Sequence, residues 1–386
     1  SDSRFLFVEN DQQLDKFLQV QDKMPGLVKV IILKRQGLCG FKGAKFMFLE
    51  DLYTLGAEFD AAHPLAFDDS IDLTKPGETA ILVYTSGTTG KPKGAMISHG
   101  NLIYSVAAGL RDAATFDTDD QLCFLPLCHI LERLFSVNAP IAAASTINFS
   151  ESPETVFDNL QEVSPQTFVA VPRLWEKIYS RVAIRIGEAT ALQKWAYKQA
   201  LEAGRVRADC LAKGKPLPFI VSLAYRFWDF AVLRNLRRMI GMDRLRRGGS
   251  GAAPISPDLL RWYHSIGVSI LEGYGMTESA GIISLNNPVK NKIGTVGTVM
   301  PGAEIRISDE GEIQYKAGNV FQGYWRNPEK TAEAFTHDGW LRTGDVGVPD
   351  NRGFLTITGR LKDIIITAGG KNISPAEIEN KLKFSP

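Results

Sequence analysis

Apolar segments alternate with helical patterns along the first half of the chain. Short apolar runs predict six strands, at Phe5–Val8, Val28–Leu33, Ala80–Tyr84, Leu122–Leu125, Ile141–Asn148 and Thr167–Val171. Segments with a helical pattern predict three helices, at Asp11–Val20, Asn101–Leu110 and Pro153–Glu162. Strands that alternate with helices in this way favour an α/β fold with largely parallel sheets.

The middle of the chain, Arg173–Met242, has a helical pattern and many aromatic residues. From Lys177 to Arg247 it carries sixteen Lys or Arg residues against five Asp or Glu residues. Clustered positive charge can attract an anionic surface. This region therefore predicts either a solvated helical face over a packed core or a contact with a membrane surface or an acyl carrier. Nucleic acid is not expected as a partner, because no nucleic-acid-binding motif accompanies the charge.

From Gly294 onward the pattern changes to short alternating segments separated by turns. Alternation of apolar and polar residues predicts half-exposed antiparallel strands, at Glu304–Ile307, Glu312–Tyr315 and Phe354–Thr358. Further on, Asp363–Thr367 precedes a predicted helix start, where Ser374 and Glu377 fit a capping box. These last residues predict the beginning of a new structural unit.

Length and composition bound the class of protein without selecting a partner. A chain of 386 residues with 44% hydrophobic residues and a net charge of +1 can form more than one globular domain. Its four cysteines lack C-x-x-C spacing, so neither a zinc site nor a disulfide framework is predicted and a reducing cytoplasm is expected. No apolar run is long enough to predict a transmembrane helix. The strand pattern at Arg4–Val8 predicts that the chain starts inside a larger protein.

The most informative segment, Tyr84–Gly94, has the sequence YTSGTTGKPKG. It follows an apolar strand, and its glycines, hydroxyls and lysines can offer backbone N–H groups, neutral donors and positive charge to a polyphosphate. It is not a Walker A loop, because Pro92 follows Gly90-Lys91 and the preceding glycine, Gly87, has the wrong spacing. The dinucleotide fingerprint G-x-G-x-x-G is also absent.

A second motif, Gly273–Ser279, has the sequence GYGMTES and follows the apolar strand Val268–Leu271. Tyr274 offers a flat ring for a base, and Thr277 offers a hydroxyl for a phosphate. Glu278 offers a carboxylate for Mg²⁺, which proteins hold with one or two carboxylates plus substrate phosphates.

These motifs closely resemble the signatures of the adenylate-forming superfamily, which comprises acyl-CoA synthetases, luciferases and peptide-synthetase adenylation domains. Three further segments share the resemblance: Gly248–Pro254, Trp340–Asp345 and Gly359–Asp363. Two others are similar to the long-chain fatty acid–CoA ligase branch: Phe124–Ile130, followed by Glu132-Arg133, and Val171–Lys177. The resemblance extends from about Arg4 to Lys383.

The resemblance implies an α/β adenylate-forming N-terminal domain with stacked αβαβα sheets, a small antiparallel β-barrel subdomain, and then the start of a small α+β C-terminal domain. It places the N-terminal domain at residues 1–360, with α/β sheets over 1–290, a helical insert at 173–242 and a β-rich part at 291–360. Residues 361–386 become the hinge and the start of the C-terminal domain. The first part of the N-terminal domain is expected to lie outside this chain, as is a late catalytic lysine of the C-terminal domain.

The resemblance also assigns roles to single residues. The expected catalytic residues are Thr85, Thr88, Lys93, His129 and Glu278, with His129 beside the substrate carboxylate and Glu278 on Mg²⁺. The expected nucleotide-binding residues are Thr85, Ser86, Gly87, Thr88, Thr89, Gly90, Lys91, Gly251, Ala252, Ala253, Glu272, Gly273, Tyr274, Gly275, Met276, Thr277, Asp345 and Arg360, with Asp345 on the ribose. Lys362 is the expected hinge, and Gly370 and Lys371 belong to the expected thioester-stage loop.

The reaction implied is the ATP-dependent activation of a long-chain fatty acid to acyl-AMP and pyrophosphate, followed by thioester formation with coenzyme A. A fatty acyl-AMP ligase that loads a carrier protein is the close alternative. A non-catalytic acyl- or nucleotide-binding module is the alternative for this chain alone. The expected cofactor is Mg²⁺, and the expected partners are a long-chain fatty acid, ATP, coenzyme A and an anionic membrane surface. A cytoplasmic location, with or without peripheral membrane attachment, follows from these expectations.

Overall fold

The computed structural model describes residues 2–38, 40–85 and 91–363, and the backbone of residues 365, 366, 372 and 373. The chain divides into two compact units, Ser1–Lys75 and Pro76–Pro386. No sequence pattern predicts this boundary. The boundaries expected at residues 290 and 360 stay predictions.

The first unit combines a small parallel sheet with helices. Its strands, in spatial order β1-β2-β3, are β1 (Phe5–Val8), β2 (Lys29–Ile32) and β3 (Phe46–Phe48), and its α-helices are α1 (Asp11–Leu18), α2 (Leu49–Ala62) and α3 (Ala66–Leu73). Asn10 caps α1, because its side chain accepts a hydrogen bond from the backbone N–H of Gln13 at 3.1 Å. The first two predicted strands and the first predicted helix are confirmed.

The second unit contains the remaining elements. Its strands are β4 (Thr79–Thr85), β5 (Lys93–Ser98), β6 (Asp120–Cys123), β7 (Thr146–Phe149), β8 (Thr167–Ala170), β9 (Arg247–Ser250), β10 (Ile270–Tyr274), β11 (Ser284–Leu285), β12 (Thr298–Val299), β13 (Glu304–Ile307), β14 (Glu312–Lys316), β15 (Gly323–Tyr324), β16 (Leu341–Pro349), β17 (Leu355–Arg360), β18 (Ile365–Ile366) and β19 (Asn372–Ile373). Its α-helices are α4 (His99–Asp112), α5 (Ile130–Arg133), α6 (Ala139–Ala143), α7 (Val156–Val163), α8 (Pro172–Gly187), α9 (Ala191–Ala212), α10 (Phe219–Trp228), α11 (Arg234–Met239), α12 (Pro257–Ser265) and α13 (Pro328–Ala334).

Two π-helical turns interrupt the helices of the second unit. Leu134–Asn138 joins α5 to α6, and Asp229–Leu233 joins α10 to α11. Such turns are rare and are frequent at functional sites. Short 3₁₀ turns occur at Gln21–Lys23, Thr277–Ser279 and Leu361–Asp363.

The main sheet has the strand order β12-β11-β10-β9-β8-β6-β7. The strands from β10 to β7 are parallel, and β11 and β12 add an antiparallel edge. Helices cover its core, where the buried rings of Trp175 and Tyr263 meet edge to face with centroids 5.2 Å apart. The Tyr263 hydroxyl donates to the carbonyl oxygen of Trp175 at 2.7 Å. The α/β fold with a largely parallel sheet is confirmed.

Two predicted strands differ from the structure. The segment predicted as a strand at Ile141–Asn148 is helical in its first part and becomes the strand β7 only at Thr146. Pro140 near the start of α6 and the alanines around it favour a helix, which ends at Ala144 with a φ of +55°. The strand predicted at Ala80–Tyr84 is present, but it belongs to an antiparallel sheet of order β15-β5-β4.

The predicted antiparallel strands of the β-rich part form a sheet of order β13-β14-β16-β17. The pairings among the described residues run from one edge strand to the other, so they make an open sheet where a small barrel was expected. The expectation of half-exposed strands is wrong for β14, whose first four residues are all buried. The reason is that β14 lies inside the sheet, where Ile313 and Tyr315 enter the core and Glu312 accepts a hydrogen bond from the backbone N–H of Gly344 at 2.9 Å.

Candidate active site

The two ends of the YTSGTTGKPKG segment are brought together by a β-hairpin. Thr85, the last residue of β4, is paired with Lys93, the first residue of β5. The connection between two antiparallel strands differs from the strand–loop–helix context of a Walker A motif, which agrees with the spacing argument. Lys91 is exposed two residues before the second strand begins. The expected nucleotide-binding residues Ser86, Gly87, Thr88, Thr89 and Gly90 lie outside the described residues.

The carboxyl ends of β9 and β10 form a second part of the candidate site. Because these strands are parallel neighbours, Gly251–Ala253, which follows β9, and Gly273–Thr277, which includes the end of β10, lie at the same edge of the sheet. Gly275 packs so closely that an added Cβ would lie 2.2 Å from the carbonyl oxygen of Gly281, so only glycine fits there. Ala252 has a φ of +66° in the exposed loop after β9. The expected residues Met276 and Thr277 are half-buried at the turn that follows.

Three expected nucleotide-binding residues form a connected chain of side chains. The Tyr274 hydroxyl donates to Oδ2 of Asp345 at 2.6 Å. Nε of Arg360 lies 2.9 Å from Oδ1 of the same carboxylate. Asp345 and Arg360 face each other across β16 and β17, and this pairing sets their distance. Tyr274 reaches them from the edge of the main sheet, so the structure joins three residues from distant parts of the chain.

Burial and neighbouring charges affect the ionisation of this chain. Burial raises the pKa of Asp345, the Tyr274 hydrogen bond and Arg360 lower it, and the Glu312 and Glu278 carboxylates raise it again. Burial, followed by the charge of Asp345, raises the pKa of Tyr274. Tyr274 therefore stays a hydrogen-bond donor over the physiological pH range, and the Asp345 carboxylate is its acceptor. Such a group suits hydroxyl donors on a ligand.

A second chain of side chains connects the expected metal ligand to the hairpin. The Tyr324 hydroxyl donates to Oε1 of Glu278 at 2.5 Å, and both side chains are buried. Nζ of Lys93 lies 4.3 Å from the centre of the Tyr324 ring, which is within the range of a cation–π interaction. Tyr324 reaches this place because β15 pairs with β5. We call Lys93, Tyr274, Glu278, Tyr324, Asp345 and Arg360 the polar cluster.

The donor set around Glu278 fits a magnesium ion that is held mainly by a substrate. Among the described residues, no group of three or more His, Cys, Asp or Glu side chains is arranged to hold a metal ion. Mg²⁺ does not require such a group, because one or two carboxylates plus substrate phosphates normally suffice. The buried carboxylate of Glu278 meets that requirement.

Glu272 is a buried carboxyl group beside the motif. Its Oε2 accepts a hydrogen bond from the backbone N–H of Gly294 at 3.0 Å. Burial raises the pKa of Glu272 to about 7, and the bond from Gly294 only partly opposes this shift. Its side chain is therefore bonded to the protein backbone, and it contributes to the site by fixing the segment that leads into Tyr274.

The remaining predicted residues lie at the margins of this arrangement. His129 is exposed and immediately precedes α5. Lys362 is exposed in the 3₁₀ turn that follows Arg360, and its role as the hinge stays a prediction. Gly370 and Lys371, the expected thioester-stage residues, lie outside the described residues.

An apolar cavity of about 50 Å³ lies between the main sheet and the helices on one face. Helix α4, the π-helical turn and three parallel strands bound it, with Ser105, Val106, Gly109, Leu110, Ala113, Thr115, Leu134, Phe135, Ala139, Thr167, Val169, Arg247, Gly248, Gly249, Leu271, Ile282 and Leu285 as its lining. We call this space the apolar cavity. Its volume holds a few water molecules, so a larger apolar ligand enters only if the lining side chains move apart.

A model of the family described as AMP-binding enzyme matches residues 1–325. The chain belongs to the AMP-binding enzyme family. Its relatives include long-chain-fatty-acid–CoA ligase FadD15 of Mycobacterium tuberculosis, which is 35% identical over 100% of this chain and 62% of its own length. Long-chain-fatty-acid–CoA ligase ACSBG2 of Xenopus laevis is 34% identical over 99% of this chain and 52% of its own length. This chain therefore spans between half and two thirds of these relatives.

Solved structures of related enzymes share the fold. ATP-bound MatB from Rhodopseudomonas palustris has a TM-score of 0.65 and 24% identity, with 100% of this chain and 64% of MatB covered. The anthranilate CoA ligase AuaEII in complex with anthranoyl-AMP has a TM-score of 0.68 and 20% identity, with the same shares covered. Together with the match to the family model, these similarities confirm the adenylate-forming α/β fold.

Sequence reasoning missed Tyr324 and Arg247. Tyr324 follows Gly323 in an unremarkable segment, and only the pairing of β15 with β5 brings it to Glu278. Arg247 is one of several arginines in a basic stretch, and nothing in the spacing separates it from its exposed neighbour Arg246. No short motif marks Tyr324 or Arg247. They could be found only from membership of the family together with the surroundings of each residue in the fold.

Proposed function

We propose that the whole protein activates a long-chain fatty acid with ATP, forming acyl-AMP and pyrophosphate, and then transfers the acyl group to coenzyme A. Membership of the AMP-binding enzyme family and the names of the similar long-chain-fatty-acid–CoA ligases support this function. The single observation that carries it is the polar cluster. One set of its contacts joins Tyr274, Asp345 and Arg360, a second joins Lys93, Tyr324 and Glu278, and the Glu278 charge acts on Asp345.

The chemistry requires both charge neutralisation and orientation. A carboxylate is a poor electrophile, and its attack on the α-phosphorus of ATP makes it part of a mixed anhydride while pyrophosphate leaves. Negative charge builds up on the phosphate oxygens during this step. Lys93 supplies positive charge at the hairpin, and preorganised charges of this kind lower reaction barriers by several kcal/mol.

The polar cluster also positions the nucleotide. Asp345 accepts hydrogen bonds from the ribose hydroxyls, with its orientation held by Tyr274 and Arg360. The ring of Tyr274 provides a face for the adenine base. Glu278 would hold Mg²⁺, which neutralises phosphate charge when bound. Tyr324 keeps the Glu278 carboxylate in one orientation through its 2.5 Å hydrogen bond.

The apolar cavity is the proposed site of the acyl chain. It lies beside the strands that end at the polar cluster, and its lining is almost entirely apolar. Burial of methylene groups there favours a fatty acid over a small polar acid by about 0.8 kcal/mol for each methylene. The acyl chain of the fatty acid widens the cavity as it enters.

Pyrophosphate release tests this function. The full-length protein should release pyrophosphate from ATP only when a fatty acid is present, and coenzyme A should then appear as its acyl thioester. A fatty acyl-AMP ligase would also release pyrophosphate with a fatty acid, but it would load a carrier protein and leave coenzyme A unacylated. A rate of pyrophosphate release that is the same with and without a fatty acid would contradict the proposal.

The proposal also includes a contact between the protein and an anionic membrane. Helix α10 and the π-helical turn after it expose a row of large apolar side chains, among them Phe219 at 81% and Phe230 at 74% of their full accessible area. Arg226, Arg234 and Arg238 are exposed beside this row. An apolar row flanked by arginines matches helices that lie in the lipid interface. None of the described helices is long and apolar enough to cross a membrane.

A further inference from the structure

We propose that Arg247 closes the far end of the apolar cavity and thereby sets the longest acyl chain that the protein activates. This inference rests on the proposed function, because it takes the apolar cavity as the site of the acyl chain. Among the described residues that line this cavity, Arg247 is the only charged one.

One end of the apolar cavity lies next to the polar cluster. Ser105 of α4 belongs to this end, because its Oγ accepts a hydrogen bond from Nδ2 of Asn319 at 3.2 Å. The same Asn319 nitrogen lies 2.7 Å from the carbonyl oxygen of Ser279, the residue after Glu278. We therefore place the carboxylate of the fatty acid at the Ser105 end, from which its hydrocarbon chain enters the cavity.

The opposite end lies where the parallel strands begin. Thr167 and Arg247 are the first residues of β8 and β9 and face each other in register. Strand β9 runs from Arg247 to Ser250, which is paired with Glu272 next to the polar cluster. Three residues of strand span about 10 Å, so Arg247 is that far from the edge where the reacting groups meet.

Gly249 explains why the space between these ends is open. Side chains on one face of a strand recur at every second residue, so Gly249 and Arg247 share the face that borders the apolar cavity. A Cβ at Gly249 would already lie 2.9 Å from a methyl carbon of Val169. The first side chain that an acyl chain meets along β9 is therefore that of Arg247.

Directional contacts hold the Arg247 guanidinium in place. Its Nη2 donates to Oγ1 of Thr115 and Oγ1 of Thr167, both at 3.2 Å, and lies 3.8 Å from Oδ2 of the fully buried Asp119. Burial, followed by the charge of Arg246, lowers the pKa of Arg247 to about 10. The apolar lining residues can shift to admit a chain, but this group is fixed by three partners.

A terminal methyl group that reached Arg247 would push its guanidinium away from the hydrogen-bond partners that hold it. The methyl group cannot offer the guanidinium a hydrogen bond in return. Such contact is unfavourable, so chains that end before Arg247 are preferred over longer ones. Removal of the guanidinium should extend the accepted length.

Arg246 provides a matched control for this inference. It precedes Arg247 directly and also contacts Asp119, but its side chain is 45% exposed and it does not line the apolar cavity. Because Arg246 keeps Asp119 paired when Arg247 is replaced, Arg247→Met does not leave that carboxylate without a cation. Arg247→Gln retains N–H donors for the two threonines and serves if Arg247→Met does not fold.

The test measures kcat/KM for pyrophosphate release by the full-length protein over saturated fatty acids of increasing length. For an acid two methylenes longer than the wild-type limit, Arg247→Met or Arg247→Gln should raise kcat/KM about tenfold relative to a shorter acid. Arg246→Met should keep the wild-type profile. An unchanged profile in both Arg247 variants, or the same change in Arg246→Met, would overturn the proposal.

Failure of the proposed function would be distinguishable in the same experiment. If the wild-type protein released no pyrophosphate with any fatty acid, the proposed function would fail. Displacement of a fluorescent fatty acid from the wild-type and Arg247 variants would then still report the length limit of the apolar cavity. A length limit that moves with Arg247 supports the inference, and one that does not move rejects it.

Discussion

The polar cluster is held by directional bonds between single side chains, whereas the apolar cavity is bounded by the shapes of many side chains. In the polar cluster, Asp345 has two named partners and Glu278 has one, at distances from 2.5 to 2.9 Å. In the apolar cavity, Arg247 is fixed by several such contacts, whereas most of the other lining residues are apolar. Loss of one polar partner should therefore impair the reaction itself, while changes in the cavity should alter which acid reacts.

The polar cluster is rigid and the apolar cavity is adaptable, and the two suit different tasks. Hydrogen-bonded carboxylates hold a charged ligand in one geometry and need no rearrangement when the reaction occurs. Apolar contacts have no preferred direction, so the cavity can widen around chains of different length at modest cost. The comparison predicts a graded series of effects.

The largest effect is expected for Glu278→Ala. Removal of this carboxylate takes away the proposed magnesium ligand and leaves the buried Tyr324 hydroxyl without its acceptor. We expect the rate of pyrophosphate release to fall by about 10² to 10³. The exposed Glu310, which lies in a turn of the β-rich sheet, gives the control variant Glu310→Ala. A rate near the wild-type value for Glu278→Ala would refute the assignment of Glu278.

A smaller loss is expected for Asp345→Asn. The amide keeps the size of the carboxylate but removes the charge that attracts Arg360 and half of its acceptor capacity. Binding of a non-hydrolysable acyl-AMP mimic, measured by calorimetry, should weaken by about tenfold or more. Asp350→Asn changes a carboxylate in the turn directly after the same strand and should bind normally. Equal binding by the Asp345 variant and the wild type would place the ribose elsewhere.

The exposed apolar row on α10 should affect binding to membranes without affecting the rate of the reaction. Replacement of Phe219 and Phe227 by serine removes two large apolar groups from the proposed lipid contact. Sedimentation with anionic vesicles at low salt should drop several-fold, because the apolar part of the contact is lost while the neighbouring arginines still attract the vesicles. Val289→Ser, which removes an exposed apolar side chain outside the row, is the control. Absence of wild-type sedimentation at low salt would remove the membrane from the proposal.

The smallest effect concerns stability near Glu272. Its pKa in the folded protein is about 7, above the ordinary value of 4.5, so the folded state binds the proton more tightly than the unfolded state. The stabilisation is complete below about pH 4.5 and is lost as the pH rises through 7. Glu272→Gln should reduce this decline, as measured by urea unfolding at pH 5 and pH 8. An equally steep decline of stability in the wild type and in Glu272→Gln would show that Glu272 is not its cause.

The sequence predicted the polar cluster better than the cavity for a physical reason. Tyr274, Glu278, Asp345 and Arg360 have side chains whose chemistry is specific, and they occur in ordered motifs. The contacts of Asp345 with Tyr274 and Arg360 show that the segments carrying these three residues lie side by side. Their roles toward ATP stay predictions.

The apolar cavity could not be predicted, because it depends on what is missing as well as on what is present. The absence of a side chain at Gly249 opens it, and pairing of Thr167 with Arg247 closes it. Both facts arise from the packing of segments far apart in the chain. Local pattern also failed at Ile141, where an apolar run forms a helix because proline and alanine outweigh the apolar signal.

The most direct test of the central claim is the detection of acyl-AMP before any thiol is added. The full-length protein would be incubated with ATP, magnesium and a long-chain fatty acid without coenzyme A, and the bound products would be identified by mass spectrometry. We predict acyl-AMP and one equivalent of pyrophosphate, and conversion of the acyl-AMP to acyl-CoA and AMP when coenzyme A is added. Formation of acyl phosphate with ADP, or the absence of any adenylate, would contradict the proposed function.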